Sequence, residues 1–478
     1  MKDTLLTKLK QLISEEIAGT PQLVGDILDQ SSSISIYTQV NAIIQEISDH
    51  LWSEYLKTVL TNPLFLYYIR MLGAKMALKL EGYRLVSITL PSGTKIKVKS
   101  PFFTHAQKKK RKKSGSNSTR LGSHLALDIV GYSEKIAKNL LHKCVELSAL
   151  TSSFEIAAQI LNREGVSFGA NKLRALCTSF MLPASSPQKR ATLSLQEGES
   201  FVGKRVLVLA DGGRVRQRKY KKGAIPKGKK LHGFNSEWKE PKLFTLYVVD
   251  DNGRIIQECP PFVDGTTQPL PEFLELLDAY FKETEISKAL EVTVLGDGAE
   301  WIWKNIPELL EDNGLPRENI HEIIDWSHGV QNLNAALKLL PSNKKKISFD
   351  MKRAKNLLFK GDAEGILEMF KSTFKLTEKS KAVKKIEGYF LGNKKRLQYE
   401  TIRNKKLPIG SGLIESAIRR VINLRLKAPG SFWKLPFAET MLYIRSLLLY
   451  GRWEFYLENV GRKLQQDFQE VLSFKLVA

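Results

Sequence analysis

Apolar residues near the start of the chain recur three and four apart, in Leu5-Leu6-Leu9-Leu12-Ile13 and again from Leu51 to Leu60. That spacing predicts helices with one buried face. The period then shortens. Tyr83 to Leu90 and Thr94 to Val98 read as strands around Pro91-Ser92-Gly93, the signature of a hairpin. The run Lys108-Lys109-Lys110-Arg111-Lys112-Lys113 and the following Ser114-Gly115-Ser116-Asn117-Ser118 carry no apolar face, so they read as a charged linker. Helical spacing returns between Thr151 and Leu182. Ser152 and Glu155 have capping-box spacing, Ala157, Ala158 and Leu161 point inward, Glu164-Gly165 breaks the helix and Ser167 caps a second one.

Beyond the polar stretch Ser185 to Glu199 the pattern becomes mixed. Strands are predicted at Arg205 to Ala210, Leu243 to Val249, Arg254 to Cys259, Val292 to Leu295 and Glu322 to Asp325, with helices from Pro271 to Phe281 and Ala299 to Leu310. The order β-β-β-α-β-α-β describes a ribonuclease-H-like core, three antiparallel strands extended by two reached through helical crossovers. From Trp326 to Arg396 the chain is Lys-rich and helical with no strand signal. The expected fold class is therefore α+β and multidomain: a ribonuclease-H-like α/β core interrupted by an all-helical insertion and preceded by helical and helix-turn-helix-like regions. The expected divisions are 1–82 (helical), 83–125 (hairpin and basic linker), 126–190 (helix-turn-helix-like), 200–325 (first part of the core), 326–396 (insertion), 397–440 (second part of the core) and 441–478 (helical tail).

Composition narrows the partners. The 478 residues include 74 Lys+Arg against 50 Asp+Glu, a formal net charge of +24. Such an excess favours a polyanion, nucleic acid first, because each neutralised phosphate releases condensed counterions. A membrane is not expected, since Arg445 interrupts the best apolar run, Met441 to Tyr450. Cys144, Cys177 and Cys259 are too few and too scattered for a disulfide framework or a zinc site, which points to a reducing compartment.

Three acidic residues carry the chemistry. Asp211 ends the first core strand before Gly212-Gly213, Asp297 ends the fourth within Gly296-Asp297-Gly298, and Glu415 follows Gly410-Ser411-Gly412 at the start of a helix. Each alone is an ordinary turn or helix start. Together they can hold two Mg²⁺ ions about 4 Å apart, the arrangement that activates a nucleophile and stabilises a leaving oxygen in phosphodiester chemistry. Asp211 is the bridging candidate, and the long separation of Asp297 from Glu415 requires the helical insertion. Arg419, four residues after Glu415, either pairs with it or follows DNA backbone together with Arg425 and Lys427. Between the first two core strands lie Arg214, Arg216, Arg218, Lys219, Lys221, Lys222, Lys227, Lys229 and Lys230, a density suited to guiding a phosphate chain. In the second helix of the 151–182 pair, Asn171, Lys172 and Arg174 suit base edges and phosphates of a major groove, although a plain helical hairpin fits the same residues.

These stretches resemble the DDE transposases of bacterial insertion sequences, those with a helical insertion between the second acid and the Glu. The resemblance rests on Val208-Leu209-Ala210-Asp211-Gly212, Leu295 to Trp303, Ile324-Asp325-Trp326-Ser327-His328, and Leu407 to Glu415 with Arg425-Leu426-Lys427 and Trp433, which together span about half of the chain. It implies Asp211, Asp297 and Glu415 as a triad holding two Mg²⁺, with Mn²⁺ as a substitute. The activity implied is cleavage of DNA at transposon ends and joining of the 3′-hydroxyl to target DNA, without a covalent protein intermediate. Asp325 and His328 match an auxiliary C/D-x-x-H signature. The resemblance further implies a homodimer or larger assembly on DNA, and a prokaryotic, cytoplasmic, nucleoid-associated location. Thr94 to Lys113 lacks the cysteines that related enzymes often carry there. Alternatives are a host nuclease or resolvase of the same fold and a domesticated, transposase-derived DNA-binding protein.

Overall fold

The computed structural model describes Gln11 and residues 33–105, 122–225, 227–228, 232–340 and 344–473, the side chains of 33–37, 39 and 344–349 excepted. The expected first helix at Leu5 to Ile13, apart from Gln11, the run Lys108 to Lys113 with its serine-rich continuation, and Lys229 and Lys230 lie outside these residues. The chain divides into two compact units, one drawn from Met1–Ser148, Phe154–Leu176 and Gly461–Ala478, the other from Ala149–Ser153 and Cys177–Val460.

In the first unit, helix α1 (Ser33–Thr61) is followed by α2 (Pro63–Lys75). Asn62 separates them: its side chain accepts from the N–H groups of Leu64 and Phe65 at 3.0 Å, and Pro63 occupies the first helical position. Strands β1 (Leu78–Thr89) and β2 (Lys95–His105) form the expected hairpin, longer than its apolar alternation suggested. Gly93 turns it at φ +96°, where a side chain would be strained. Short strands β3 (Gly122–Ser123), β4 (Tyr132–Ser133) and β5 (Ile136–Ala137) complete a sheet of order β3-β2-β1-β5-β4, with α3 (Leu125–Ile129) between β3 and β4. Helix α4 (Lys138–Leu150) leads to α5 (Phe154–Arg163) and α6 (Ala170–Phe180). Ala157, Ala158 and Leu161 are buried as expected, and Gly165 breaks the chain at φ +86°. The caps are displaced, however: the residues immediately before α5 and α6 are Ser153 and Gly169, not Ser152 and Ser167.

The second unit is built on a five-stranded mixed sheet. After α7 (Pro187–Ser194) come β6 (Arg205–Gly212), β7 (Val215–Tyr220), β8 (Phe234–Lys239), β9 (Lys242–Val249) and β10 (Phe262–Thr266). Helix α8 (Leu270–Glu283) crosses to β11 (Glu291–Gly296), and α9 (Glu300–Asp312) to β12 (Ile320–Ile324). The order is β10-β9-β6-β11-β12, antiparallel through β10, β9 and β6 and parallel through β6, β11 and β12. This is the expected ribonuclease-H-like arrangement. Val206, Leu207, Val208, Leu209 and Ala210 are all buried, which is why β6 reads as an unbroken apolar run: both of its faces are covered.

Two expectations fail here. Arg254 to Cys259 is not a strand but a set of turns, in which Asp250 accepts from the N–H groups of Asn252 and Arg254 at 2.8 Å and Gly253 takes φ +75°. The third strand is β10, whose Asp264-Gly265 looks like a turn in sequence. Asp264 stays in the sheet, fully buried, because Arg190 Nε and Tyr280 Oη each donate to it at 3.0 Å. The second failure is the ribbon β7–β8, which occupies the stretch expected only as a basic excursion.

After β12 the chain is helical, through α10 (Trp326–Leu337), α11 (Lys344–Phe359), α12 (Ala363–Phe374), α13 (Lys381–Ile386), a π-helical segment at Glu387–Leu391 and α14 (Tyr399–Asn404). It returns to the sheet with the short α15 (Gly412–Ala417), a second π-helical segment at Ile418–Asn423, and α16 (Leu435–Leu449), before α17 (Trp453–Ser473). Arg445 is buried in α16 because its Nε donates to Val421 O at 2.9 Å and its other nitrogens to the carbonyls of Arg420 and Ala149. No helix among the described residues is long and apolar enough to cross a membrane.

Candidate active site

Register places three aspartates side by side. Leu209 of β6 pairs with Leu295 of β11, and Leu295 with Ile323 of β12. Asp211, Asp297 and Asp325 each follow two residues later, so each stands at the carboxyl end of its strand, at one level across three neighbouring parallel strands. Such strand ends are where open α/β sheets present ligand-binding groups.

The backbone holds each side chain. Asp211 Oδ1 accepts from the N–H of Gly212 at 2.6 Å. Asp297 Oδ1 accepts from the N–H of Ala299 at 2.8 Å, and its carbonyl from Trp303 Nε1 at 3.0 Å. Asp325 is fully buried and fully used: Oδ1 accepts from the N–H groups of Ser327 at 3.0 Å and Ser411 at 3.2 Å, and Oδ2 faces His328 Nδ1 at 2.8 Å. It therefore starts α10 as its cap and at the same time pins the turn that opens α15.

Glu415 comes from α15, which packs on β6 and β9. Gly213 permits the approach of the following π-helical segment, since a Cβ there would stand 2.5 Å from Ile422 Cδ1. On the other side, a Cβ at Gly298 would stand 2.9 Å from the ring of Tyr389, a residue of the insertion's π-helical segment. Both π-helical segments thus border the acids, a placement frequent at functional sites.

The charges act on one another at this range. Burial first, then the Asp297 and Glu415 charges, push the Asp211 carboxyl up to about 6, against the opposing Gly212 N–H and the His328 ring. The bond to Asp325 holds His328 above the usual imidazole value against burial, and the charges of Asp325, Asp297 and Glu415 add to it. Burial would raise Asp325, but its bonds from His328, Ser327 and Ser411 prevail and leave it below the ordinary carboxylate value. Asp211, Asp297, Glu415, Asp325 and His328 thus lie within electrostatic range of one another.

The donor set suits a hard divalent cation: carboxylates at strand ends with one imidazole among them. A carboxylate oxygen of Asp325, a ring nitrogen of His328 and a carboxylate oxygen of Glu415 lie within 4.8 Å of one another. Asp325 is better regarded as the group that orients His328 and α15, because its oxygens already accept three protein hydrogen bonds. Sequence reasoning places Asp325 with His328 as auxiliary and passes over Tyr389 and Ser411. Nothing in a local pattern links Tyr389 to Asp297.

The basic residues fall into separate settings. Arg214, Lys219, Arg419 and Lys427 are exposed, and Arg216 and Arg218 are half-buried in the β7–β8 ribbon. Arg425 departs from expectation: it is 3% exposed, with its guanidinium 5.0 Å over the Trp433 ring, so it packs the segment after α15 instead of tracking DNA. In the first unit Asn171 and Lys172 are exposed on α6, while Arg174 donates to Asn171 Oδ1 at 3.0 Å and lies 5.3 Å over the ring of Phe154.

No protein-family model matches the chain, and no curated protein matches it. Among solved structures it is similar to the Drosophila P element transposase strand transfer complex, at 14% identity and a TM-score of 0.27, over 71% of this chain and 86% of that one. A superposition that loose carries no weight for activity.

Proposed function

We propose that this protein is a DDE transposase of the insertion-sequence type, cleaving DNA at element ends and transferring the strand to a target. The observation that supports the reading is that Asp211 and Asp297 stand at adjacent strand ends, within electrostatic range of Glu415 from a helix far along the chain. Three acids facing a phosphate chain would repel it unless cations intervene. Bound Mg²⁺ or Mn²⁺ would supply Lewis-acid activation of a water or 3′-hydroxyl and stabilise the leaving oxygen. In this reading Asp211, Asp297 and Glu415 would hold the ions, and Asp325 fixes the His328 ring and the start of α15. Arg214, Lys219, Arg419 and Lys427 neutralise backbone phosphates, and Asn171, Lys172 and Arg174 read the element ends. A dimer or larger assembly follows from the need to hold two ends.

The test uses duplexes carrying the DNA that flanks the gene, incubated with full-length protein and Mg²⁺. Nicks leaving 3′-hydroxyls, and joined products, are expected. Asp211→Ala, Asp297→Ala and Glu415→Gln should each lower cleavage by about 10²-fold to 10³-fold or more while DNA binding stays near normal. Substantial residual cleavage in the two Asp variants would refute the triad.

A further inference from the structure

The β7–β8 ribbon has a face that its own packing does not explain. Residues directly opposite in an antiparallel pair share a face. Arg216 stands opposite Trp238, Arg218 opposite Ser236, and Tyr220 opposite Phe234, so these six line one side. There the side chains form a ladder. The Arg216 guanidinium lies 5.6 Å over Trp238 and 4.7 Å over Phe432, Arg218 lies 4.6 Å over Phe234, and Lys434 Nζ lies 5.1 Å over Tyr220. Phe234 meets Phe432 edge-on at 5.2 Å.

A ladder serving only to hold the ribbon would turn its rings inward. Val215, on the opposite face, is fully buried, yet Trp238 is 55% exposed, Tyr220 39% and Phe234 37%. The buried Nε atoms of Arg216 and Arg218 have no hydrogen-bond partner, and the guanidiniums otherwise donate only at 3.4 Å, Arg216 to Ala428 O and Arg218 to Tyr220 Oη, so their main neighbours are the rings. The base of the ribbon is tied to chain that flanks the acids in sequence. It begins shortly after Asp211, and Trp433, downstream of Glu415, donates its N–H to Arg216 O at 2.8 Å and accepts from Arg218 N–H at 2.7 Å. Arg214, Lys221, Lys222 and Lys227 are exposed around it, as are Lys219 and Lys239, which stand 4.0 and 3.7 Å from Glu237.

We infer that this face is a stacking platform for unpaired nucleotides of DNA, seated next to the candidate cleavage centre; the inference rests on the function proposed above. An exposed ring with a cation behind it offers a flat surface to a base of any sequence, and neighbouring lysines follow the phosphates. Paired bases in a duplex present only their edges, so the rings distinguish unpaired from paired DNA.

The test compares two probes on the full chain: a duplex, and the same duplex with a single-stranded tail containing 2-aminopurine. The tailed probe should bind more tightly, with its fluorescence quenched. Trp238→Ala should weaken the tailed probe about tenfold and abolish the quenching while changing duplex binding less than about twofold, and Trp238→Phe should retain most of both effects. Equal weakening of both probes by Trp238→Ala, or none, would overturn the platform. If duplex binds and the tail confers no advantage, only the platform falls. If neither probe binds, the proposed function falls and the platform with it.

Discussion

Asp211 is the residue whose setting has the clearest measurable consequence. Its folded carboxyl titrates at about 6 against an ordinary 3.8, so the folded protein favours the protonated form. The associated stability is complete below about pH 3.8 and is lost as pH rises through about 6. Thermal unfolding in a chelator should therefore show Asp211→Asn gaining on the wild type across that window and levelling off above it, and divalent cation should narrow the gap by stabilising the wild type. A difference independent of pH would contradict the burial and the neighbouring charges. The acids themselves are legible in sequence, because a strand ending in Asp-Gly is a recognisable break. The role of Asp325 as a fully bonded organiser is not, since His328 lies at the start of the insertion and Ser411 beyond its end. Arg425 illustrates the same limit: residue type says nothing of whether a guanidinium meets water or the face of Trp433.

Among the elements, the π-helical segment Ile418–Asn423 and the tip of β6 form a tight joint. Gly213→Val should force β6 away from Ile422, because even a Cβ would stand 2.5 Å from Cδ1 and 3.3 Å from Cγ2. Cleavage should fall about tenfold or more, and the second substitution Ile422→Ala should restore part of it, since coupled neighbours are non-additive. No rescue in the double variant would detach this contact from the site. Strands β6, β9 and β11 are readable in sequence because they are continuous apolar runs covered on both faces. The β7–β8 ribbon is not: Val215–Tyr220 and Phe234–Lys239 are charged and lack apolar alternation, and the pairing is supported by stacked cations and rings that a binary pattern does not register. Strand β10 escapes for the complementary reason, its Asp264 being neutralised from α7.

For the whole molecule the excess of +24 charges governs how it meets a polyanion. DNA affinity should fall steeply between low and physiological salt, and Arg214→Ala or Lys219→Ala should each reduce the slope of log affinity against log salt by about 1. A flat dependence would count against binding through phosphates. The ribonuclease-H-like sheet and the helical excursion are both readable at this scale from the order of elements alone. Two distant stretches share the site because the insertion leaves from Asp325 and the chain returns at Ser411, to which Asp325 is bonded. The most direct measurement of the central claim is anomalous diffraction from crystals of the full chain soaked in Mn²⁺. Two peaks about 4 Å apart are expected, with Asp211 between them, Asp297 on one and Glu415 on the other. Manganese bound elsewhere, or no peak within reach of Asp211 at full occupancy of the soak, would contradict it.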